Sequence, residues 1–129
     1  MSDLIHLSKD QALIIHKAVL EKDGGSDGIR EINLLESALA APRATFGGQP
    51  IMTDPVEVAA AYLYYLCNNH PFVDGYKRVA FTACLLFLHL NGIKVQPDGS
   101  EWETLVLDVA ASVIGRPATT ERLRALLVN

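Results

Sequence analysis

Several things are scarce in this chain, and each scarcity excludes a class of protein. Its 129 residues include only two cysteines and one tryptophan. Cys67 and Cys84 make no zinc site by themselves. Both sit in apolar helical runs, where a free thiol behaves as a small buried hydrophobe, so they read as reduced core thiols of a cytosolic protein. Basic excess is missing too. The formal net charge is -4, whereas nucleic-acid binders normally carry a surplus of Lys and Arg, so no direct nucleic-acid contact is expected. The longest strongly apolar run, Val79 to Leu90, contains Thr82 and His89 and is too short to cross a bilayer. No N-terminal stretch has the basic, apolar and small-residue order of a signal peptide. These absences imply a cytoplasmic protein with no membrane role. The glycine-rich Walker pattern and the kinase catalytic-loop signature are also absent.

What is present is a half-hydrophobic composition in one stretch without repeats, low-complexity tracts or linkers. It predicts a single domain over 1–129 with a substantial core. The punctuation is that of consecutive helices. Ser8 with Gln11 forms a capping box for a first helix that stops at Gly24-Gly25. Asn33 with Glu36 predicts the start of a second, which ends before Pro42. Asp54 and Pro55 open a third, ending at Asn69 because His70 precedes Pro71. A fourth runs from Tyr76 to Leu90 and closes at Asn91-Gly92. It is apolar almost all round, as expected of a central helix. Ile93 to Gln96 reads as a short extended segment. Ser100 with Glu103 predicts a fifth helix with Trp102, Leu105, Val106, Val109, Ala110 and Val113 on one face. Gly115 to Pro117 breaks it, and Thr119 opens a sixth with Leu123, Leu126 and Leu127 inward. Between Pro42 and Thr53 there is no helical period, and Gly47-Gly48 predicts a small hairpin.

The chemistry concentrates in His70-Pro71-Phe72-Val73-Asp74-Gly75-Tyr76-Lys77-Arg78, the connection between the third and fourth helices. The first amides of a helix lack internal partners and carry partial positive charge, which makes such an end an anion site. Gly75 lets an anion approach the backbone there. Lys77 and Arg78 are unfavourably placed at an N-terminus unless an anion joins them. Asp74 either caps the helix or holds a divalent ion, and magnesium needs only one or two carboxylates beside phosphate oxygens. His70 is the side chain suited to accept a proton near neutral pH. Phe72 reads as a core anchor for the loop. His6, His16 and His89 lie in separate runs without metal spacing.

With those residues in place, the chain resembles the Fic family, in its Doc (death-on-curing) branch. The Fic motif is His-x-Phe-x-Asp/Glu-Gly-Asn-Gly-Arg, with Lys replacing the second Gly in the Doc form. His70, Phe72, Asp74, Gly75, Lys77 and Arg78 match that form. Further likeness lies in Gly28-Ile29-Arg30-Glu31, Leu34 to Leu39, Ala44 to Gly48 and Phe87 to Gly92. The resemblance implies an all-α fold, a compact bundle of about six helices with a short β-hairpin flap. It also implies a toxin of a toxin–antitoxin pair that phosphorylates a threonine of translation elongation factor Tu from ATP with magnesium, blocking translation, and that a Phd-like antitoxin silences. By the same resemblance His70 is the general base and Asp74 the magnesium ligand. Gly75, position 76, Lys77 and Arg78 cradle phosphate. A flap containing Arg43, Thr45, Phe46, Gly47 and Gly48 aligns an extended target segment by main-chain hydrogen bonds.

Tyr76 departs from the motif, which has Asn there. A rigid ring with one hydroxyl replaces a small amide, so it either fills phosphate space or swings outward. Three explanations stay open: a natural variant with altered activity, an inactive member kept for binding, or an inactivating change in a toxic chain. Two other functional readings also stand, a Fic-type protein adenylyltransferase and a catalytically inactive antitoxin-binding module. Lys77 weighs against the first, because adenylyltransferases usually carry Gly there. Thr53 and Glu57 have the spacing of the family's internal inhibitory motif, but Val58 follows, so inhibition is expected from a separate chain whose amphipathic helix docks beside the site.

Overall fold

A computed structural model describes residues 3–128 and gives six α-helices and one hairpin among them. They are α1 (Lys9–Asp23), α2 (Ile32–Ala40), a 3-10 turn (Ala41–Arg43), β1 (Thr45–Phe46), β2 (Gln49–Pro50), α3 (Pro55–Asn69), α4 (Tyr76–Leu90), α5 (Ser100–Ala110) and α6 (Arg116–Leu127). This is the compact helical bundle with a short hairpin that the sequence predicts.

The local signals explain most of the ends. Ser8 and Gln11 form the reciprocal capping box of α1, and Gly24 closes it. The Asp54 carboxylate accepts the Val56 N–H at the start of α3, with Pro55 following it. Helix α4 ends in a Schellman motif: Gly92 has φ 88°, Gly92 N–H donates to His89 O at 3.1 Å and Ile93 N–H to Leu88 O at 2.8 Å. Asn91 does more than cap. Its amide exchanges hydrogen bonds with the Ile5 backbone at 2.8 and 2.9 Å, tying the N-terminal segment to the end of α4.

Some expectations do not hold. Helix α2 is preceded by Glu31 with no side-chain cap, so Asn33 lies inside the helix. Gly99, not Ser100, precedes α5, again without a side-chain cap. Helix α5 stops at Ala110, and Val113 beyond it is 68% exposed rather than on the inner face. Gly115-Arg116-Pro117 opens α6 instead of only breaking α5: Gly115 is the cap, Pro117 sits in the first turn, and Thr119 is buried with its hydroxyl donating to Gly115 O at 2.8 Å. Proline is tolerated there because the first-turn amides have no helical acceptor anyway. Residues 93–96 pair with no strand.

The hub of the bundle is α3 rather than α4. Helix α3 packs against α2, α4, α5, α6 and the 3-10 turn, whereas α4 meets α1, α3 and α5. Six successive residues of α3, Val58 to Leu63, are buried. Three of them are alanines, and small residues let the surrounding helices approach the hub closely. The large fully buried side chains include Tyr62, Phe72, Phe87, Leu35, Leu63, Leu66 and Leu88. Each buried leucine of this kind contributes about 1.5–3 kcal/mol relative to exposure. Cys67 and Cys84 are free and buried, and burial pushes both thiols up to about 12. No helix among the described residues is long and apolar enough to cross a membrane.

Candidate active site

The α3–α4 connection is held from beneath by two pieces of chain distant in sequence. Helix α3 ends at Asn69, whose amide donates to Leu34 O at 3.0 Å. His70 then turns the chain with left-handed angles, φ 48° and ψ 59°. The following proline disfavours the helical region for it, and histidine is among the side chains that tolerate this conformation. Pro71 O accepts the Arg30 N–H at 2.8 Å, and Gly28 O accepts the Val73 N–H at 2.9 Å. Phe72 forms an isolated antiparallel bridge with Ile29. The loop is therefore zipped to the segment between α1 and α2. On its other side Phe72 is fully buried and lies flat on the His16 ring of α1, with centroids 3.9 Å apart and planes at 15°. His16 Nε2–H donates to the Asp74 carbonyl at 3.0 Å. Phe72 is the anchor the sequence predicts.

Two glycines permit this packing. Gly75 has φ 81°, and a Cβ there would lie 3.2 Å from Val19 Cγ1 of α1. Gly25 has φ 121°, and a Cβ there would lie 3.1 Å from Asp74 Cβ. Both positions combine a left-handed backbone with close approach, so only glycine fits without strain.

Gly75 is the N-cap of α4, and no side chain caps that helix. The capping alternative for Asp74 is thereby overturned. Its carboxylate Oδ2 instead accepts the Ser26 N–H at 2.8 Å. The outcome favours an anion site: the first amides of α4 carry no carboxylate that would compete with one. Asp74 is exposed and keeps its other carboxylate oxygen free of protein hydrogen bonds among the described residues. A single such oxygen suits magnesium only together with phosphate oxygens and water. No group of three or more His, Cys, Asp or Glu side chains suited to a metal exists among the described residues.

At the mouth of α4 the fold brings together His70, Tyr76, Lys77 and Arg30. The Tyr76 ring lies on the His70 ring, with centroids 3.8 Å apart and planes at 35°. The sequence left two placements open for Tyr76, in the phosphate space or turned outward; its ring instead lies over the histidine. Lys77 Nζ sits 6.0 Å from the Tyr76 ring centroid, within cation–π range. Arg30 Nη1 lies 3.3 Å from His70 Nδ1. Guanidinium groups only donate, so Nδ1 is the acceptor in this contact. Partial burial, then the charges of Arg30 and Lys77, hold the His70 pKa below its ordinary 6.5. The imidazole is accordingly neutral at pH 7, with its lone pair engaged by Arg30 and one face covered by Tyr76.

Arg78 stands apart from this group. Its Nε faces the Asp23 carboxylate at the end of α1, at 3.8 Å and with both side chains largely exposed. Such a pair is weak. It nevertheless supplies part of the anion that two cations at a helix N-terminus call for.

The hairpin forms as predicted. Thr45 pairs with Pro50 and Phe46 with Gln49, and Gly47 and Gly48 have φ of 60° and 80°. Positive φ at both turn residues is the two-residue type I′ geometry that fits strand twist. Phe46 is 83% exposed. Among the described residues no hydrogen bond or ion pair joins the hairpin to the motif loop. Arg43, in the 3-10 turn, instead lines a cavity of about 350 Å³ with Leu4, His6, Pro50 and Met52. There His6 Nδ1 lies 2.8 Å from Tyr62 Oη, and burial, then Arg43, lower the His6 pKa.

Sequence reasoning missed three residues that shape the site. His16 looked like an isolated histidine, and its partner is 58 positions away. Ser26 contributes only a backbone amide, which no side-chain pattern marks. Arg30 was visible only as part of Gly28-Ile29-Arg30-Glu31, with nothing to say that it meets His70.

Comparison with known proteins adds an independent line. The Fic/DOC family model matches residues 6–88. Toxin Doc of Mycolicibacterium smegmatis is 41% identical over 75 residues, which is 58% of this chain and 58% of that relative's own length. Protein kinase doc of Escherichia phage P1 is 31% identical over 121 residues, 94% of each chain.

Proposed function

The chain belongs to the Fic/DOC family, in its Doc branch, and from that premise we propose that it is a Doc-like toxin transferring a phosphoryl group from ATP to a threonine hydroxyl of elongation factor Tu. The observation that carries this reading is the placement of His70 and Lys77 on either side of the Tyr76 ring, at an N-terminus of α4 that no side chain caps. In the transfer, the threonine Oγ bonds to the γ-phosphorus as the bond from that phosphorus to ADP breaks. The threonine proton passes to a ring nitrogen of His70. Phosphoryl transfer of this kind rests mainly on positioning and charge stabilisation. The α4 amides, Lys77 and Arg78 supply the charge, and Asp74 is the carboxylate that would hold a magnesium ion, which would neutralise phosphate oxygens.

Two contacts hold His70 at rest. An arriving phosphate attracts the Arg30 guanidinium, because charge-assisted pairs with phosphate are stronger than one hydrogen bond to a neutral ring. That movement frees Nδ1. Tyr76 has no comparable charge to draw it away, so its ring remains the main obstacle, and the chain as written turns over slowly or not at all. A Phd-like antitoxin is the partner that silences the active form. Lys77, placed against Tyr76 at the mouth of α4, favours phosphate transfer over AMP transfer by occupying space and charge beside the phosphate. Incubating elongation factor Tu with magnesium-ATP and the Tyr76→Asn variant, then weighing the product intact, tests the reading. A phosphate adduct is expected. An AMP adduct would assign the adenylyltransferase activity instead, and an unmodified product would leave only an antitoxin-binding role.

A further inference from the structure

Tyr76 covers His70, and the same contact brings a reactive group to the histidine. Among residues 70–78 Tyr76 is the only side chain with a hydroxyl. That hydroxyl has no hydrogen-bond partner among the described residues, and no buried side-chain oxygen there is unpartnered, so it is open to solvent. It is carried on a ring whose centroid lies 3.8 Å from that of the His70 ring. The phenol oxygen is therefore held within a few ångströms of the imidazole. A base must lie within hydrogen-bond reach of the hydroxyl it deprotonates, directly or through one water.

The surroundings suit the product of such a transfer as well. Tyr76 is the first residue of α4, directly after Gly75, and no side chain caps that helix. Two cations stand beside the stacked rings. Lys77 Nζ is 6.0 Å from the Tyr76 centroid, and Arg30 Nη1 is 3.3 Å from His70 Nδ1. Neither is in an ion pair with a carboxylate among the described residues. A phosphate attached at a helix N-terminus beside free cations gains charge-assisted hydrogen bonds.

We propose that Tyr76 is itself a phosphate acceptor: the chain transfers one phosphoryl group from ATP to its own Tyr76, and Arg30, Lys77 and the free amides of α4 then hold the phosphotyrosine. The phenol Oη bonds to the γ-phosphorus as the bond from that phosphorus to ADP breaks. The phenol proton passes to His70 Nδ1 once Arg30 has turned to the phosphate. The assignment rests on the phosphotransferase reading above and deepens it. Tyr76 is a tethered substrate in the place of the target threonine, and the tether removes the cost of bringing two molecules together. Transfer ends after one turnover, because the product fills the site.

The test uses the phosphatase-treated chain with magnesium-ATP and no other protein, followed by intact mass and peptide mapping. One phosphate per chain is expected, on Tyr76, at a rate independent of chain concentration. Tyr76→Phe keeps the ring without the acceptor and is expected to take none. His70→Asn keeps a residue that tolerates left-handed angles but loses the base, and should react at least about a hundredfold more slowly. Freed of nucleotide, the phosphorylated chain should melt at least about 2 °C above the unmodified one, with a difference that shrinks as salt is raised. A chain that stays unmodified, while Tyr76→Asn phosphorylates elongation factor Tu, would overturn the self-transfer and leave the phosphotransferase reading standing. No phosphate in either experiment would overturn both. Phosphate mapped to another residue, or a rate that rises with chain concentration, would overturn transfer within one chain. An unchanged melting temperature would overturn the holding of the product by the α4 end.

Discussion

The motif loop contains two aromatic rings laid on two histidines, and the pair differ in almost everything except distance. Phe72 on His16 is buried, nearly parallel, and backed by a hydrogen bond from His16 to the Asp74 carbonyl. Tyr76 on His70 is partly exposed, inclined at 35°, and flanked by the charges of Arg30 and Lys77. The first stack builds the loop. The second covers the histidine proposed above as the proton acceptor. Similar contact geometry therefore supports structure at one end of the loop and, in the proposed function, restrains chemistry at the other. What separates them is burial and the partners of the histidine.

If that contrast is right, the two stacks respond to truncation very unequally in stability. Phe72→Ala removes a fully buried ring and should cost about 3–5 kcal/mol of folding stability, read as a lowered denaturation midpoint. His16→Leu keeps bulk against Phe72 but leaves the Asp74 carbonyl without its donor, so a loss of about 1–3 kcal/mol is expected by the same measurement. Tyr76→Ala should cost only about 1 kcal/mol, since the ring packs at the edge of the core and is partly exposed. A large loss at Tyr76, or none at Phe72, would erase the distinction between a building contact and a covering one.

The smallest effect concerns protons. Burial, Arg30 and Lys77 hold His70 below 6.5 in the folded chain. Between the folded value and 6.5 the unfolded chain binds more protons, so stability rises with pH across that interval. The contribution of His70 is thus fully present above about 6.5 and lost as the pH falls through the folded value, and His6 acts with the same sign. Arg30→Ala should move the His70 titration, followed by NMR, upward toward 6.5. A downward movement would show that Arg30 acts on His70 through something other than its charge.

The boundaries of α1, α3 and α4 were legible because each is set by local chemistry: a capping box, an Asp-Pro start, a residue before proline, an Asn-Gly end. The starts of α2, α5 and α6 were not. Their caps are Glu31, Gly99 and Gly115, none with a side-chain hydrogen bond, so nearby Asn33, Ser100 and Thr119 drew the assignment. The hub was also misplaced. Helix α4 has the longer apolar run, but the alanines of α3 let more neighbours approach. At the site, the residue types of the loop were readable from one stretch of sequence. Its support was not, because His16, Ser26 and Arg30 reach it across 40 to 58 positions. The consequence of Tyr76 likewise needed the fold, which sets its ring on His70 rather than in the solvent.

The central claim is that Tyr76 restrains an otherwise complete phosphotransferase site. The most direct measurement compares the chain and Tyr76→Asn, each with magnesium-ATP and elongation factor Tu, by the rate at which intact mass reports phosphate on the target. The account predicts transfer by the variant at least about a hundredfold faster than by the chain, corresponding to some 2.7 kcal/mol in the barrier. Equal rates, with both proteins folded and both binding ATP, would contradict it.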